Sequence, residues 1–358
     1  ANLPNLTAIE VDAANPNYSS AGGVLFNKDK TTLLFRPVAK TGPCAISASV
    51  TKIELGALPE RKGIHEFAVD EVNKTYSSRD GVLFNKEKTT LIQCPVSKSG
   101  TYSIPAGVTD ITDGAFLGCT GLTEIMIPSS VSRIGNSAFY QCDGLAAIQV
   151  DEANQTYSSL EGGLLSKDQT TLLLCPSARK GDYAIPAKVA SINLHAFTSC
   201  TDLTRVTIPE SVTSISHSSF HNCAGLMAIE VAATNKTYSS LNGVWFNKER
   251  TILIRCPRGL IGDYEIPPGV STIGRYAFSG CSGLTQLGIP ESVTAIEYQA
   301  FQGCEKLATS IKGLGRINFN ASSSYAGMPS APEPSVPATS TSPGAPPPPP
   351  PPRRQIRR

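Results

Sequence analysis

The sequence predicts one elongated β-solenoid built from stacked repeats rather than two globular domains. An Ile-Pro step recurs between residues 46 and 311 and divides the chain into alternating units of 23 and 35 residues. Each clear short unit carries Phe at its thirteenth position and Cys at its sixteenth, and each long unit contains a Tyr-Ser-Ser segment. Self-similarity with a fixed period of roughly 20–50 residues indicates repeats that bury their apolar faces only against their neighbours.

The units can be placed along the whole chain up to residue 311. Residues 1–10 match the back half of a short repeat, and a degenerate copy over 46–68 has Leu58 at the Phe position and Arg61 at the Cys position. The predicted solenoid therefore covers residues 1–320, with 312–320 as its C-terminal end. The six clear short units begin at Ile104, Ile127, Ile185, Ile208, Ile266 and Ile289. The four long units begin at Val11, Val69, Val150 and Val231.

Within a short unit, apolar and polar residues alternate before each Ile-Pro step. Leu122, Ile125 and Ile127 form such a run, which predicts a strand that ends at Pro128 because proline cannot donate to a sheet. The segment 136–142 has room for one turn of α- or 3₁₀-helix at most. Stacked units of this kind predict a curved parallel sheet with strands about 4.8 Å apart. Phe139 and its equivalents are expected to point inward on the opposite wall.

Each long unit adds a hairpin signal. Residues 81–84 and 89–92 are rich in β-forming side chains and flank a polar turn at 85–88. Because the pattern recurs, we expect hairpins that project from one side of the solenoid. Lysines in these turns form a ladder that serves turn chemistry or offers a secondary contact surface: Lys28, Lys86, Lys167 and Lys248.

Composition excludes several functional classes. The net charge is +2, and residues 321–358 hold four Arg and one Glu, so the repeats are close to neutral. A near-neutral body gives no electrostatic reason to bind nucleic acid or a membrane surface. No apolar run is long enough for a membrane span, and the N-terminus shows no signal-peptide pattern.

The ten cysteines follow the repeat period and do not form a metal motif. Six occupy one short-unit position and three one long-unit position, which predicts buried, reduced thiols that pack as small hydrophobes. The short-unit ladder is Cys119, Cys142, Cys200, Cys223, Cys281 and Cys304. Cys44 lies outside both ladders, because Tyr102, Tyr183 and Tyr264 occupy its position elsewhere. It is therefore the predicted exposed thiol.

No motif for catalysis or for a cofactor is present. The four histidines include His217 and His221, which have metal-ligand spacing on a helix, but no third ligand repeats with them. We therefore expect polar surface substitutions, no metal, no cofactor and no enzymatic activity. Three of six N-x-S/T sequons share one long-unit position. This position predicts a repeated Asx turn, with glycosylation as the alternative in a eukaryotic secretory route: Asn73, Asn154 and Asn235.

Residues 321–358 lose the repeat period. They are rich in Pro, Ser, Ala and Thr and end in seven prolines, from Pro346 to Pro352, and an Arg-rich hexapeptide. Such a segment cannot bury a core, which predicts a disordered, partly polyproline tail. Pro348, Pro351 and Arg353 fit a PxxPxR pattern that SH3-type domains recognise, with a simple spacer as the alternative.

The joint pattern LxxIxIPxxVxxIxxxAFxxCxxL, interleaved with YSSxxGVLFNKxxTTLLxCP, resembles the BspA-like leucine-rich repeat family over residues 1 to about 311. The resemblance implies a leucine-rich repeat solenoid. It also implies a surface or secreted protein that binds macromolecules, including host matrix proteins, rather than an enzyme.

Two functions remain open at this point. The first is an extracellular, adhesin-like module that binds a protein or glycan. The second is an intracellular eukaryotic scaffold, located in the cytoplasm, whose tail binds an SH3-type partner. The exposed positions of the parallel strands vary among the units, which suits recognition on a constant frame. The predicted contact residues are Thr123, Glu124, Met126, Thr204, Arg205, Thr207, Thr285 and Gln286.

Overall fold

The structure is a computed structural model that describes residues 3–58, 63–216, 218–309 and 311–312. These residues form a β-solenoid of about 11 turns, as the repeat period predicts. Among them the 3₁₀ helix Glu305–Thr309 is the one helical segment, so the Ala-Phe segments form turns and not helices. The predicted ends of the solenoid, Arg61, His217, the 312–320 boundary and the tail at 321–358 involve residues outside the described part and stay predictions.

The described part of the chain contains thirty short strands. The first 14 are β1 Tyr18–Ala21, β2 Val24–Asn27, β3 Thr32–Phe35, β4 Gly42–Ile46, β5 Lys52–Ile53, β6 Ile64–Val69, β7 Tyr76–Arg79, β8 Val82–Asn85, β9 Thr90–Gln93, β10 Gly100–Ser103, β11 Asp110–Ile111, β12 Leu122–Ile127, β13 Arg133–Ile134 and β14 Ala147–Val150. The remaining 16 are β15 Tyr157–Leu160, β16 Gly163–Ser166, β17 Thr171–Leu174, β18 Gly181–Ala184, β19 Ser191–Ile192, β20 Leu203–Ile208, β21 Ser214–Ile215, β22 Ala228–Val231, β23 Tyr238–Leu241, β24 Val244–Asn247, β25 Ile252–Arg255, β26 Gly262–Glu265, β27 Thr272–Ile273, β28 Leu284–Gly288, β29 Ala295–Ile296 and β30 Ile311–Lys312.

The strands before each Ile-Pro step form parallel sheets of two or three strands. They pair in the orders β4-β6, β10-β12-β14, β18-β20-β22 and β26-β28-β30. In β12, Leu122, Ile125 and Ile127 are buried and Thr123 and Met126 are exposed, which is the alternation that the sequence predicts. We call the solvent side of these four sheets the strand face.

The long units build the second wall. In each of the last three long units, an antiparallel three-stranded arrangement continues as two parallel strands of the following short units, in orders such as β7-β8-β9-β11-β13. The hairpin of β8 and β9 is as predicted, but the sequence did not indicate the additional strand β7. The hairpins are set into the wall and do not project from it, because Val82, Leu83 and Phe84 are all buried. A strand with apolar residues on both faces is stable only when both faces are covered.

A glycine at the tip of the β23-β24 hairpin shows how tightly it is held. Gly243 has a φ of +76°, and a Cβ there would lie 2.9 Å from the Cβ of Ala228 in β22. Only glycine fits both the left-handed backbone and the close approach. The hairpin tip therefore rests directly on the last strand of the preceding sheet.

The Ala-Phe turns form a third wall, which we call the turn wall. The phenylalanines point inward, as predicted, and stack in pairs: the ring centroids are 5.4 Å apart for Phe116 and Phe139 and 4.9 Å for Phe197 and Phe220. The turns also pair through their backbones, because Phe197 N–H donates to the Ser219 carbonyl at 2.9 Å. Backbone hydrogen bonds therefore join the two turns of each pair.

All ten cysteines are buried and unpaired, which confirms the interpretation of the ladders as packed thiols. The prediction for Cys44 was wrong. Its side chain is 2% exposed, and burial raises its pKa to about 11. The cause is the alternation of β4, in which Pro43 and Ala45 face solvent and Cys44 faces the core, in the place that tyrosines occupy in later units.

Candidate functional site

The strand face brings the predicted contact residues together in rows. The parallel register places Thr101 beside Glu124 and Glu124 beside Ala147, with Ser103, Met126 and Gln149 in a second row. The equivalent rows of the next sheet are Asp182, Arg205 and Ala228, and Ala184, Thr207 and Glu230. All eight predicted residues are exposed or half-buried, so the sequence correctly indicated which side of each strand faces solvent.

Arg205, the one cation among the predicted residues, already has partners. Its Nε lies 3.5 Å from Asp182 Oδ2, and its Nη1 lies 3.9 Å from Glu230 Oε1. The three side chains lie on adjacent strands and are well exposed. Exposed ion pairs contribute little stability, about 0–1 kcal/mol. The arrangement therefore orients Arg205 and leaves this part of the strand face with a net negative charge.

The threonines at the start of the strands support neighbouring carboxylates. Thr204 Oγ1 donates to Asp182 Oδ1 at 2.8 Å, and Thr285 Oγ1 donates to Asp263 Oδ1 at 2.7 Å. Thr123 lies at the equivalent position, and there Glu124 accepts from Thr101 at 3.2 Å. The strand face thus presents carboxylates held by hydroxyl groups, with Met126 46% exposed among them.

The four lysines of the ladder hold neighbouring loops in place through hydrogen bonds. Lys86 Nζ donates to the carbonyl of Glu71 at 3.0 Å, and Lys167 Nζ donates to that of Glu152 at 2.8 Å. Lys28 and Lys248 bond to main-chain oxygens of the same loop in their own units. Each ammonium group therefore fixes the loop that precedes its hairpin, as the turn-chemistry interpretation predicts.

The three sequon asparagines are buried and form the Asx turn that the sequence predicts. Asn73, Asn154 and Asn235 are each 0% exposed. In each, Oδ1 accepts the backbone N–H groups two and three residues further on, and Nδ2 donates to two carbonyls of the preceding short unit. The Asx turn is as predicted, whereas the bond to the neighbouring unit requires knowledge of the fold.

The sequence did not indicate a groove of about 330 Å³ on the turn wall. Apart from Arg255, its lining residues lie directly before or after the Ala-Phe or Ser-Phe dipeptide of a short unit, so these side chains vary on a constant backbone. Six lining residues are neutral and polar or aromatic: Ser137, Tyr140, Ser218, Tyr276, Gln299 and Gln302. The other three are Arg255, His195 and His221. The sequence shows that residues directly before and after Ala-Phe vary. The histidines at such positions were interpreted there as polar surface substitutions.

Arg255 occupies the space between two pairs of turns. Its guanidinium donates to the carbonyls of Tyr276 at 2.6 Å and of Phe220 and Ser279 at 3.4 Å. The long unit itself contributes no Ala-Phe turn, so Phe220 and Tyr276 approach each other on this wall although a full long unit separates them in sequence. The groove therefore spans turns of three different pairs of short units.

The groove carries positive charge. Arg255 is 3% exposed, and its guanidinium donates hydrogen bonds to three neutral carbonyls. Arg258 lies beside it and donates to Asn222 Oδ1 at 2.8 Å and to the Gly280 carbonyl at 3.2 Å. Desolvation by the groove wall lowers the pKa of His221, and the charges of Arg255, Arg258 and His195 lower it further. No Asp or Glu is among the lining residues.

Comparison with known families identifies the repeats. A family model described as a BspA type leucine rich repeat region matches in six copies over residues 93–161, 180–253 and 258–331. The chain belongs to the BspA-type leucine-rich repeat family. This confirms the resemblance drawn from the Ile-Pro, Ala-Phe and Cys pattern. The matched residues include the strands of the last three sheets of the strand face and the turns at all six short-unit phenylalanines.

Comparison with solved structures finds similar chains from bacteria. A leucine-rich repeat protein of Eubacterium ventriosum is 19% identical with a TM-score of 0.46, over 78% of this chain and 75% of its own. A leucine rich cell surface protein of Faecalibacterium prausnitzii is 22% identical with a TM-score of 0.40, over 67% and 77%. The pneumococcal vaccine antigen PcpA is 19% identical with a TM-score of 0.41, over 85% and 74%. A search of curated proteins found no match.

Two further findings bear on the chemistry of the BspA-type repeats. Within the described residues, no group of three or more His, Cys, Asp and Glu side chains is arranged to hold a metal ion. None of the helices described there has the length and apolar character to cross a membrane. The site chemistry that the structure does show is ionic and hydrogen-bonding contact on two exposed surfaces.

Proposed function

We propose that this protein is a non-catalytic, adhesin-like binding module of a secreted or cell-surface type, whose partner is a protein or glycan such as a host-matrix component. Membership of the BspA-type family supports a binding scaffold rather than an enzyme. The residues at issue are the eight predicted contact residues of the strand face, and no nucleic acid, membrane or cofactor takes part.

One observation carries the proposal. On β12, β20 and β28, the inward residues are all aliphatic, whereas the solvent-facing residues at the same register differ from sheet to sheet. Glu124, Arg205 and Gln286 occupy one such position on β12, β20 and β28, and all three keep the same backbone geometry. An extended solenoid lets one partner contact several such rows, which multiplies weak contacts into usable affinity.

The experiment is a screen followed by a comparison of variants. The full chain is tested on an array of matrix proteins and glycans, and the best ligand is then titrated against a triple variant with Glu124→Ala, Arg205→Ala and Gln286→Ala. We expect at least a tenfold loss of affinity, because truncating central contact residues removes a large share of binding energy.

A matched control uses the same residue types elsewhere on the surface. Arg79, Gln155 and Glu249 are all exposed and lie outside the strand face. A triple variant with Arg79→Ala, Gln155→Ala and Glu249→Ala should bind as the unmodified chain does. Full affinity of the folded strand-face variant would contradict the assignment of the contact surface.

One observation favours the alternative, an intracellular scaffold with an SH3-type partner for the tail. All ten cysteines are free, although extracellular proteins commonly use cysteine in disulfides. Antibody binding to intact cells separates the two proposals. Staining before permeabilisation supports the surface location, and staining only after permeabilisation supports the cytoplasmic scaffold.

A further inference from the structure

The groove on the turn wall differs from the strand face in charge and in shape. The strand face is open and carries carboxylates at Glu124, Asp182 and Glu230, whereas the groove is concave and its charged lining is basic. A cleft lined by one sign of charge concentrates ions of the opposite sign. The groove is therefore suited to an acidic ligand.

The buried arginine is not required by the repeat. The position of Arg255 is occupied by Phe35, Gln93 and Leu174 in the other three long units, and those units fold in the same way. A buried charge is costly unless it is compensated, and carbonyl dipoles compensate it only in part. Arg36 in the first long unit is also buried, but it does not line the groove, whereas Arg255 places a positive charge under a groove that an anion can reach.

The neutral lining residues indicate the chemical nature of the uncharged part of the acidic ligand. Ser137, Ser218, Gln299 and Gln302 offer hydroxyl and amide groups that both donate and accept hydrogen bonds. Tyr140 and Tyr276 offer aromatic faces with polar tips. A chain of sugar rings, with apolar faces and hydroxyl edges, matches this mixture of groups.

The backbone of the turn wall disfavours an extended peptide. Peptides that bind to β-proteins commonly add a strand to an unpaired edge. At the groove, Ser199 N–H donates to the His221 carbonyl at 2.9 Å, and Gly280 N–H donates to the Gln302 carbonyl at 2.7 Å. These groups are already used between turns, so recognition has to come from the side chains.

We propose that the turn-wall groove binds a carboxylate-bearing oligosaccharide, with the acid group next to Arg255, His195 and His221 and the sugar rings against Tyr140 and Tyr276. The site is separate from the strand face and does not depend on its ligand. Each proposal can therefore fail without the other.

The test uses calorimetric titration of the full chain at pH 7 in about 0.15 M salt, a concentration that screens weak surface attraction. Two acidic probes are compared with uncharged counterparts of similar shape: tetragalacturonate with its methyl ester, and 3′-sialyllactose with lactose. We expect at least one acidic probe to bind tenfold or more tightly than its counterpart. Equal binding within both pairs, or no binding of either acid, overturns the proposal.

A peptide probe separates sugar recognition from charge alone. Tetraglutamate carries carboxylates on a peptide backbone and should bind at least tenfold more weakly than the better acidic sugar. Equal or tighter binding of tetraglutamate overturns the proposal in favour of an acidic-peptide site.

Variants locate the site with residues that the repeat already accepts. Arg255→Leu copies Leu174 and should remove the preference for the acid. Tyr276→Ser copies Ser137, which has the same left-handed backbone, and should weaken binding of the sugar tenfold even if Arg255→Leu does not fold. The strand-face triple variant should bind the acidic probe normally. Unchanged binding by folded Arg255→Leu or by Tyr276→Ser, or loss in the strand-face variant, places the site elsewhere and overturns the proposal.

Discussion

The side-chain amide of Asn154 donates a 2.8 Å hydrogen bond to the carbonyl of Val131, which belongs to the preceding short unit. The same Nδ2 donates to the Pro128 carbonyl at 2.9 Å, while Oδ1 accepts from the N–H groups of Thr156 and Tyr157 at 2.8 Å. Tyr157 in turn accepts from Ile134 N–H at 3.0 Å through its hydroxyl group. Asn154 and Tyr157 thus close the end of one pair of short units.

Asn154→Ala should therefore destabilise the fold. The change leaves buried donors and acceptors without partners, each of which costs roughly 1–3 kcal/mol. Asn154→Asp should cost at least as much, since a carboxylate would face two carbonyl oxygens. Chemical unfolding measures both, with Gln155→Ala as the control because Gln155 is exposed. A change of less than about 0.5 kcal/mol for Asn154→Ala, the range of ordinary surface substitutions, would rule out this role.

The burial of the sequons also predicts their glycosylation state. When the chain is secreted from a eukaryotic host, the folded fraction should carry no glycan on Asn73, Asn154 or Asn235, because a glycan would displace the bonds of Nδ2. Intact-mass spectrometry before and after enzymatic deglycosylation reads this out. Glycans on these residues in folded, monodisperse protein would contradict the hydrogen bonding described above.

Phe197→Ala should cost about 3–5 kcal/mol of unfolding free energy, as other buried Phe truncations do. The ring is 0% exposed, with its centroid 4.9 Å from that of Phe220 and 5.6 Å from that of Tyr183. Leu194→Ala is the control, because Leu194 is 51% exposed on the same turn. A loss under about 1 kcal/mol for Phe197→Ala would mean that the aromatic column contributes little.

The thiols should react slowly in the folded protein and quickly after unfolding. Burial raises the pKa of Cys44 to about 11 and that of Cys223 to about 12, so little thiolate forms at pH 8. Because the unfolded chain ionises its thiols at a lower pH, stability should fall as the pH rises above about 9. Thiol titration with and without denaturant tests the first statement. Rapid labelling of most cysteines in native protein would contradict it.

Stability should also depend on His221. Its pKa in the folded protein is below the ordinary value of 6.5, so the unfolded chain takes up the proton first as the pH falls. The stabilising contribution is present above that value and is lost as the pH decreases below it. His221→Ser, which copies Ser279 at the same repeat position, should flatten this part of the pH profile in thermal unfolding. An unaltered profile would show that His221 is not responsible.

The sequence predicted the solenoid, the strands and the inward phenylalanines because each depends on contacts within a unit or between equivalent positions. The burial of Leu122 and Ile125 could be predicted from their spacing in the sequence alone. The position of the hairpins was not predictable in this way, since Leu83 and Phe84 could be placed only by knowing which walls cover them. Cys44 was misplaced because its burial depends on strand register and not on a cysteine ladder.

The turn-wall groove could not be predicted from the sequence for a related reason. Its lining is contributed by residues as distant as Ser137 and Gln302, and the residue that draws the turns together, Arg255, lies on a long unit. Variation next to Ala-Phe could have suggested a contact surface. The sequence shows that each long unit lacks an Ala-Phe turn, but it does not show that turns of different pairs meet around Arg255.

The contact made by Asn154 has a consequence for how such a protein changes in length. Its acceptors are main-chain oxygens, and Asn73 and Asn235 use the same two positions of their preceding units, where Ser47 replaces proline in one case. Any copy of the 81-residue module can therefore attach to any other, whatever side chains the neighbour has acquired. Gene duplication or deletion of whole modules would add or remove rows of exposed strand-face residues without requiring a new contact between modules. A chain that lacks residues 150–230 should therefore still fold.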